Sequence, residues 1–255
     1  MNISGKTAIV TGSAVGVGRA TALALARRGA NVVINYSRSE AEAKQTAADV
    51  EALGAKALLV RADVSRDDQV RDMVKRTVER FGSLDVLVNN AAITHFVSSR
   101  ELEALTEEMW DRILAVNVKG LFFCSRAAIP YMKEQGSGCI VNISSVAGIN
   151  GIGSSIAYCA SKAAVINMTV AFARAFAPEV RVNCVAPGFI DTRWHSARPE
   201  VEDYGALKER VAKGTPLARV GTPEDIAQAV LSLVEGGDFV TGQTLVVDGG
   251  TLMRG

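Results

Sequence analysis

The stretch "KTAIVTGSAVGVGRATALALA" (Lys6–Ala26) joins an apolar, β-branched run to an alanine-rich helical pattern through a turn that holds Gly12, Gly16 and Gly18. Glycines at such a turn let the backbone approach a ligand closely. The first turn of the helix behind them presents free N–H groups and a partial positive charge. A glycine triplet alone is a weak signal; it carries weight only between the strand and helix of a βαβ unit. The rest of the chain supplies that context. Apolar runs recur as "NVVINY", "KALLVRA", "LDVLVNN", "GCIVNIS", "VRVNCVAPG" and "TLVVDGG", with helical patterns between them. Continuous apolar strands alternating with helices predict a single doubly wound α/β domain of Rossmann type over residues 1–255. Its seven-stranded parallel sheet is flanked by helices on both faces.

Helix starts are marked at Ser39, with Glu42 three residues on, and at Thr222, with Pro223 and Asp225 following. At both, the hydroxyl is expected to cap the helix. The least regular segment, Asp191 to Gly221, is polar and proline-bearing and suits a lid over a site. Lys+Arg 28 against Asp+Glu 27 leaves a net charge of +1, and no basic strip is interleaved with aromatics, so nucleic acid is not an expected partner. Cys124, Cys139, Cys159 and Cys184 lie in apolar surroundings without Cys-x-x-Cys spacing. The N-terminal apolar run is too short for a signal peptide. Reduced core thiols and a cytoplasmic location are expected, with no metal site. No apolar run approaches the roughly 18 residues of a membrane span, so no membrane association is expected.

In this context Gly12, Ser13, Gly16, Val17 and Gly18 are expected to cradle the pyrophosphate of a dinucleotide. An NAD site would place an acid about 20 residues beyond the glycines, to accept from the ribose 2′-hydroxyl. Here "NYSRSE" puts Tyr36 at that place, followed by Ser37 and Arg38, a hydroxyl and a guanidinium suited to a 2′-phosphate. NADP(H) is favoured, with NAD as the alternative; a solvated arginine at a helix start is the competing reading of Arg38. Asp63 and Val64, after the third strand, sit where a carboxylate and a backbone N–H could hold adenine. Asp63 fits a turn or cap equally well.

A second chemical signal is "YCASK" (Tyr158–Lys162), within a helical run of small and apolar side chains. A spacing of four residues brings a phenol and an ammonium to one helix face. At about 4 Å and an effective dielectric near 20, one ammonium supplies about 4 kcal/mol. That is enough to lower a phenol by roughly 3 pKa units, and Lys162 is expected to act on Tyr158 in this way.

Together with "TGSAVGVG" (Thr11–Gly18), "NNAA" (Asn89–Ala92), Asn117 in "LAVNVKG", Ser145 in "NISSVAG" and "PGFIDT" (Pro187–Thr192), this motif makes an ordered set. The set resembles the short-chain dehydrogenase/reductase family nearly end to end, the 3-oxoacyl-carrier-protein reductase and glucose dehydrogenase branches most closely. Ala92 departs from the family's usual glycine, and its methyl would crowd the cofactor's edge.

The resemblance implies an oxidoreductase that interconverts a ketone and a secondary alcohol by hydride transfer. Tyr158 would be the general acid/base. Ser145 would polarise the substrate oxygen, the family's spacing to the tyrosine selecting it over Ser144. Lys162 would lower the tyrosine pKa and hold the nicotinamide ribose, and Asn117 would hold a water in a proton relay. Read alone, Asn117 within "WDRILAVNVKGLFFCSRAAI" is a structural amide held by backbone partners. Asn90 and Ala91 would meet the cofactor at the carboxyl edge of the sheet. Pro187 and Gly188 would let the chain pass the nicotinamide, with the Ile190 backbone and the Thr192 hydroxyl on its carboxamide. A plain turn and a helix cap are the competing readings of that segment. His95 and His195 are read as loop residues near the substrate pocket, since no Gly-x-Ser-x-Gly elbow is present.

The helices carrying Asn117 and Tyr158 are apolar on most of their circumference, which calls for cover beyond the sheet. The resemblance implies a homodimer through them and commonly a homotetramer, with "TGQTLVVDGGTLMRG" at a second interface. The substrate is a small carbonyl or alcohol, free or carrier-linked; Arg100, Arg126, Arg193 and Arg198 are the basic residues available to an acidic carrier. A catalytically idle NADP-binding regulator or scaffold is the alternative of the same fold. A methyltransferase would leave the Tyr/Lys pair without a use. Asn117, Ser145, Tyr158 and Lys162 together argue for the enzyme.

Overall fold

The computed structural model describes residues 1–196 and 203–253. All seven expected strands form: β1 (Thr7–Val10), β2 (Asn31–Tyr36), β3 (Ala57–Arg61), β4 (Val86–Asn89), β5 (Gly138–Ile143), β6 (Val180–Pro187) and β7 (Thr244–Val247). They make one sheet in the order β3-β2-β1-β4-β5-β6-β7, parallel at every pairing. Thr7 lies beside Asn31 on one side of β1, and Ala8 beside Val86 on the other. The order therefore reverses between β1 and β4, which opens a crevice at their carboxyl ends, where ligands bind in open α/β sheets.

β1, β4 and β5 are buried along their whole length, as continuous apolar strands covered on both faces should be. The chain builds that cover with α1 (Gly16–Arg27), α2 (Glu40–Ala52), α3 (Asp67–Phe81), α4 (Glu107–Leu114), α5 (Leu121–Glu134), the single turn α6 (Ala147–Asn150) and α7 (Ile156–Phe176). A short α8 (Arg193–Ser196), α9 (Tyr204–Gly214) and α10 (Pro223–Glu235) follow β6. On one face the alanines and leucines of α1 pack with Ile226, Val230 and Val234 of α10. On the other, Val70, Met73 and Val74 of α3 pack with Ala127, Ala128 and Met132 of α5.

Three local expectations change. The helix around Asn117 is not one continuous α-helix: a π-helical stretch, Ala115–Gly120, joins α4 to α5. Single π turns tend to sit at functional sites, and this one turns the Asn117 amide inward. Ser39 precedes α2, but its hydroxyl makes no cap bond; Ser39 and Glu42 instead accept from Arg193. Within the segment expected as a lid, α8 and α9 are ordered helices. Asp191 accepts from Tyr204 at 2.8 Å and pairs with Lys208 at 2.7 Å. Residues 197–202, including Arg198, lie outside the described residues.

Two other expectations hold. Thr222 and Asp225 form a reciprocal capping box with Pro223 behind the cap. The four thiols are free and buried, and burial pushes Cys124 up to about 12. The expectation that no apolar run approaches membrane-span length does not hold: the spans Glu107–Glu134 and Ile156–Phe176 are long and apolar enough to cross a bilayer by length and composition. Within the apolar 18-residue stretch of each, 56% and 44% is buried in the fold, which fits helices packed on the sheet with a second apolar side left over. On that side Phe122 stacks on Phe172, and Phe172 on Phe176.

Arg219 grips the Asp225 carboxylate with both guanidinium nitrogens at 2.6 and 2.8 Å, so the start of α10 is a well-tied element. Thr222→Ala should lower stability by about 1 kcal/mol, read in a thermal melt as a fall of about 2–4 °C.

Candidate active site

The glycine turn is held in place before it can hold anything else. Gly12 and Gly16 have φ of +63° and +56°, a region closed to most side chains. A Cβ on Gly18 would run into the Gly12 carbonyl and the Asn90 amide. The helix behind the turn starts at Gly16 without a side-chain cap, so its first-turn N–H groups are left for a ligand.

Two polar residues, the buried Asn35 and the half-buried Asn90, clamp the turn from opposite sides. From β2, Asn35 accepts from the Gly12 N–H at 3.1 Å and donates to Val60 O and Ala62 O at 3.4 and 3.0 Å. From the end of β4, Asn90 donates to Thr11 O and Gly12 O at 2.9 and 3.2 Å. Thr11 Oγ1 accepts from the Asn90 and Ala91 N–H groups at 2.9 and 3.0 Å. Ser13 belongs to this brace. Its fully buried hydroxyl accepts from Asn35 N, so its side chain does not face the cleft as expected. Asn35 and Thr11 escaped the sequence reading, although a polar residue inside the apolar "NVVINY" was a usable signal.

Gly12, Gly16, Val17 and Gly18 line one end of a long cleft, with Ser37, Arg38, Asp63 and Val64 beside them. Arg38 is exposed. Asp63 takes the turn alternative: its carboxylate accepts from Ser65 N and Oγ and pairs with Arg112 at 3.0 Å. Burial pushes that carboxyl up, but Ser65 and Arg112 outweigh it and hold it below the usual range. Thr192 lies over Gly16, and Asn90, Ala91, Pro187, Gly188 and Ile190 line the middle of the cleft.

At the far end stand Ser145, Tyr158 and Lys162. α7 carries the last two, its start fixed by Ser155 capping the Tyr158 N–H. Lys162 Nζ donates to Ile143 O at 2.8 Å and lies 5.6 Å from the centre of the Tyr158 ring. Ser145 hydrogen-bonds Tyr158, whereas Ser144 Oγ is spent on Lys162 O at 2.7 Å. The expected depression of the phenol does not appear. Burial pushes Tyr158 up to about 12, with Ser145 drawing it only partly back. Burial also lowers Lys162 to about 8.

Asn117 fits the structural reading of its side chain. Its amide exchanges bonds with Ile93 N and O at 2.9 and 3.0 Å and donates to Ser161 Oγ at 3.0 Å. Trp194 of α8 packs 5.8 Å from the Tyr158 ring, a cleft residue the sequence reading passed over. His95 lines the same end, and His195, in α8 rather than a loop, stacks on Phe189 at 4.1 Å. Of the arginines proposed for a carrier, Arg126 is taken up by Asp67 at 2.6 Å and by Phe122 and Phe123. Arg193 is bound to Glu42 at 2.7 Å.

Fold and cleft define the class, a Rossmann-type oxidoreductase. Residues 12–251 match the family described as enoyl-(acyl carrier protein) reductase. The chain is 41% identical to 3-oxoacyl-[acyl-carrier-protein] reductase FabG of Staphylococcus aureus over 250 residues, 97% of this chain and 98% of that one. It is 39% identical to the FabG of Thermotoga maritima over 255 residues, 99% and 100% of the two. A gluconate 5-dehydrogenase from Burkholderia cenocepacia, solved with NADP and tartrate, superposes with a TM-score of 0.89 at 33% identity, covering 100% of this chain and 98% of its own. The chain belongs to the short-chain dehydrogenase/reductase family.

Asn35→Ala would strip partners from the partly buried Gly12 N–H and from two carbonyls. At about 1–3 kcal/mol for each unsatisfied buried group, a loss of at least about 2 kcal/mol is expected in chemical denaturation.

Proposed function

We propose that the protein is an NADP(H)-preferring reductase that interconverts a ketone, free or carrier-linked, and a secondary alcohol. One observation carries the reading: Ser145, Tyr158 and Lys162 converge in the cleft whose other end is the glycine turn. The turn itself supports a dinucleotide, since a side chain at Gly18 would fill the cradle and the first-turn N–H groups of α1 are left for a ligand. Ser37 and the exposed Arg38 suit a 2′-phosphate, and a structural relative is solved with NADP. Names of the sequence relatives support a carrier-linked 3-oxoacyl substrate.

When bound, the nicotinamide supplies the hydride. The chain's residues then handle charge and protons at the carbonyl oxygen. Ser145 Oγ donates a hydrogen bond to that oxygen, where negative charge develops. Tyr158 Oη delivers its proton there; with the phenol held near 12, the donor form is fully populated at neutral pH. The Lys162 ammonium favours the resulting phenolate, and its other N–H groups hold ribose hydroxyls. Asn90 and Ala91 would meet the cofactor at the carboxyl edge of the sheet, and Pro187, Gly188, Ile190 and Thr192 would flank its nicotinamide. Trp194 packs beside the phenol ring and would bound the substrate pocket there. A small internal cavity lined by Asn117, Lys162 and Asn89 is of a size for about one water, which supports a relay that returns a proton through Lys162.

The apolar outer side of α5 and α7 suits a homodimer interface. The exposed Leu245 and Val246 of β7 suit a second one in a tetramer. The reduced, buried thiols suit a cytoplasmic protein.

NADPH oxidation followed on a panel of ketones and 3-oxoacyl thioesters tests the reading. Tight NADPH binding without turnover on any of them would instead favour the idle regulator. Tyr158→Phe should leave NADPH affinity nearly intact and lower turnover at least the roughly 10²-fold expected of a general acid; wild-type rates in that variant would remove Tyr158 from the chemistry. Since kcat/KM reports groups of the free enzyme, its value for NADPH should fall as pH rises through about 8, where Lys162 loses its proton. A profile flat to pH 10 would mean that the ammonium is not required.

A further inference from the structure

Three consecutive residues after β6 touch three parts of the cleft. Thr192 overlies Gly16, and Trp194 packs on Tyr158. Between them Arg193 reaches the opposite wall, where its guanidinium donates to Glu42 Oε1 at 2.7 Å and Ser39 Oγ at 3.4 Å. Ser39 directly follows Ser37 and Arg38 in the run Ser37–Ser39, and these three residues and Arg193 line the same cleft.

The charges at that wall pose a problem for an anion. Glu40 and Glu42 both stand in the first turn of α2, just past Arg38, where each carboxylate would repel a phosphate. Each pairs with a cation: Lys44 with Glu40 at 2.7 Å and Arg193 with Glu42 at 2.7 Å. Lys44 comes from α2 itself. Arg193 comes from the segment that covers Tyr158, so the neutralisation of Glu42 depends on that segment lying in place.

We propose that Arg193 is a coenzyme-specificity residue: it offsets Glu42 and presents a second guanidinium, beside Arg38, to the 2′-phosphate of NADP(H). A guanidinium has five N–H donors in a planar fork. Two bonds to Glu42 and Ser39 leave others for a phosphate. Because Thr192 and Trp194 flank it in sequence, the same contact draws the wall of the substrate pocket onto Tyr158, so the phosphate is read by a segment that also shapes the chemical end. This assignment rests on the NADP(H) reading above.

The test is the dissociation constant of NADPH and of NADH, measured by calorimetry at low ionic strength, where half-exposed charges are least screened. Arg193→Ala should weaken NADPH roughly three- to tenfold, within the range for a charge-assisted hydrogen bond at a partly exposed site. NADH, lacking the phosphate, should change less than about twofold by the same reasoning. Glu42→Gln should tighten NADPH and leave NADH nearly unchanged. Arg38→Ala is the control. If it weakens NADPH selectively while Arg193→Ala shifts both cofactors alike or neither, the role of Arg193 is overturned and the NADP(H) reading stands. If wild-type protein binds NADH as tightly as NADPH and Arg38→Ala does not discriminate, the NADP(H) reading fails and the role of Arg193 falls with it.

Discussion

The constraint on which the rest depends is the clamping of one turn from both sides. β1 is the strand at which the sheet order reverses, and the backbone leaving it must present N–H groups to a ligand rather than to a neighbouring strand. Left alone, such a turn would be loose, because its glycines have no side chains to pack. Asn35 and Asn90 supply what the glycines cannot. One reaches in from each strand flanking β1, and each bonds to the Gly12 peptide or its carbonyl. Unmet, these partly buried groups would cost up to about 1–3 kcal/mol each, so the turn has one favoured geometry. The start of α1, and with it the direction of the helix dipole, follows from that geometry.

The far end of the cleft is fixed by the same kind of bond. Lys162 Nζ donates to the Ile143 carbonyl, and Ser144 Oγ donates to the Lys162 carbonyl, so α7 is tied twice to the segment that carries Ser145. Deeper in, Asn89 donates to Asn142 at 2.9 Å, and Asn142 donates to Thr169 of α7 at 2.9 Å. A chain of buried amides therefore runs from β4 through β5 to α7. Asn90, next to Asn89, continues it to the glycine turn. Buried polar networks of this kind favour one arrangement over its neighbours; here each side-chain amide nitrogen donates while the Asn89 Oδ1 meets no partner among the described residues, and the network sets the separation between the two ends of the cleft.

The sheet could be read from the sequence because continuous β-branched runs have few other uses, and every strand expected from them is present. The glycine turn and the Tyr158/Lys162 pair were legible because their spacing is local: a strand–turn–helix and a single helical turn. What could not be read depends on contacts between segments far apart in sequence. Ser13 and Asp63 occupy the right stretches, yet their side chains go to Asn35 and to Ser65 and Arg112. Ser39 and Glu42 have the spacing of a capping pair but serve Arg193, 151 positions away from Glu42. The π turn at Asn117 inserts a break that no hydrophobic period announces, because the residues on both sides remain apolar and helical. Trp194 lay in the least patterned part of the chain, where only the fold places it against Tyr158.

The ionisation of Tyr158 shows why helical spacing alone misjudged the chemistry. Spacing places an ammonium near a phenol, and Coulomb's law then favours the phenolate; burial acts on the same group in the other direction and here is larger. At about 12 the phenol lies about 5 units above neutrality, or about 7 kcal/mol. An ammonium 5.6 Å from the ring centre returns on the order of 3 kcal/mol at an effective dielectric near 20. The remainder is no obstacle to reduction, in which the phenol begins protonated and gives its proton to an alkoxide that is the stronger base. Oxidation by the proposed mechanism would instead have to begin from the phenolate, which burial disfavours. For the proposed reductase, desolvation of Tyr158 thus favours the protonated phenol, the form from which reduction would draw its proton.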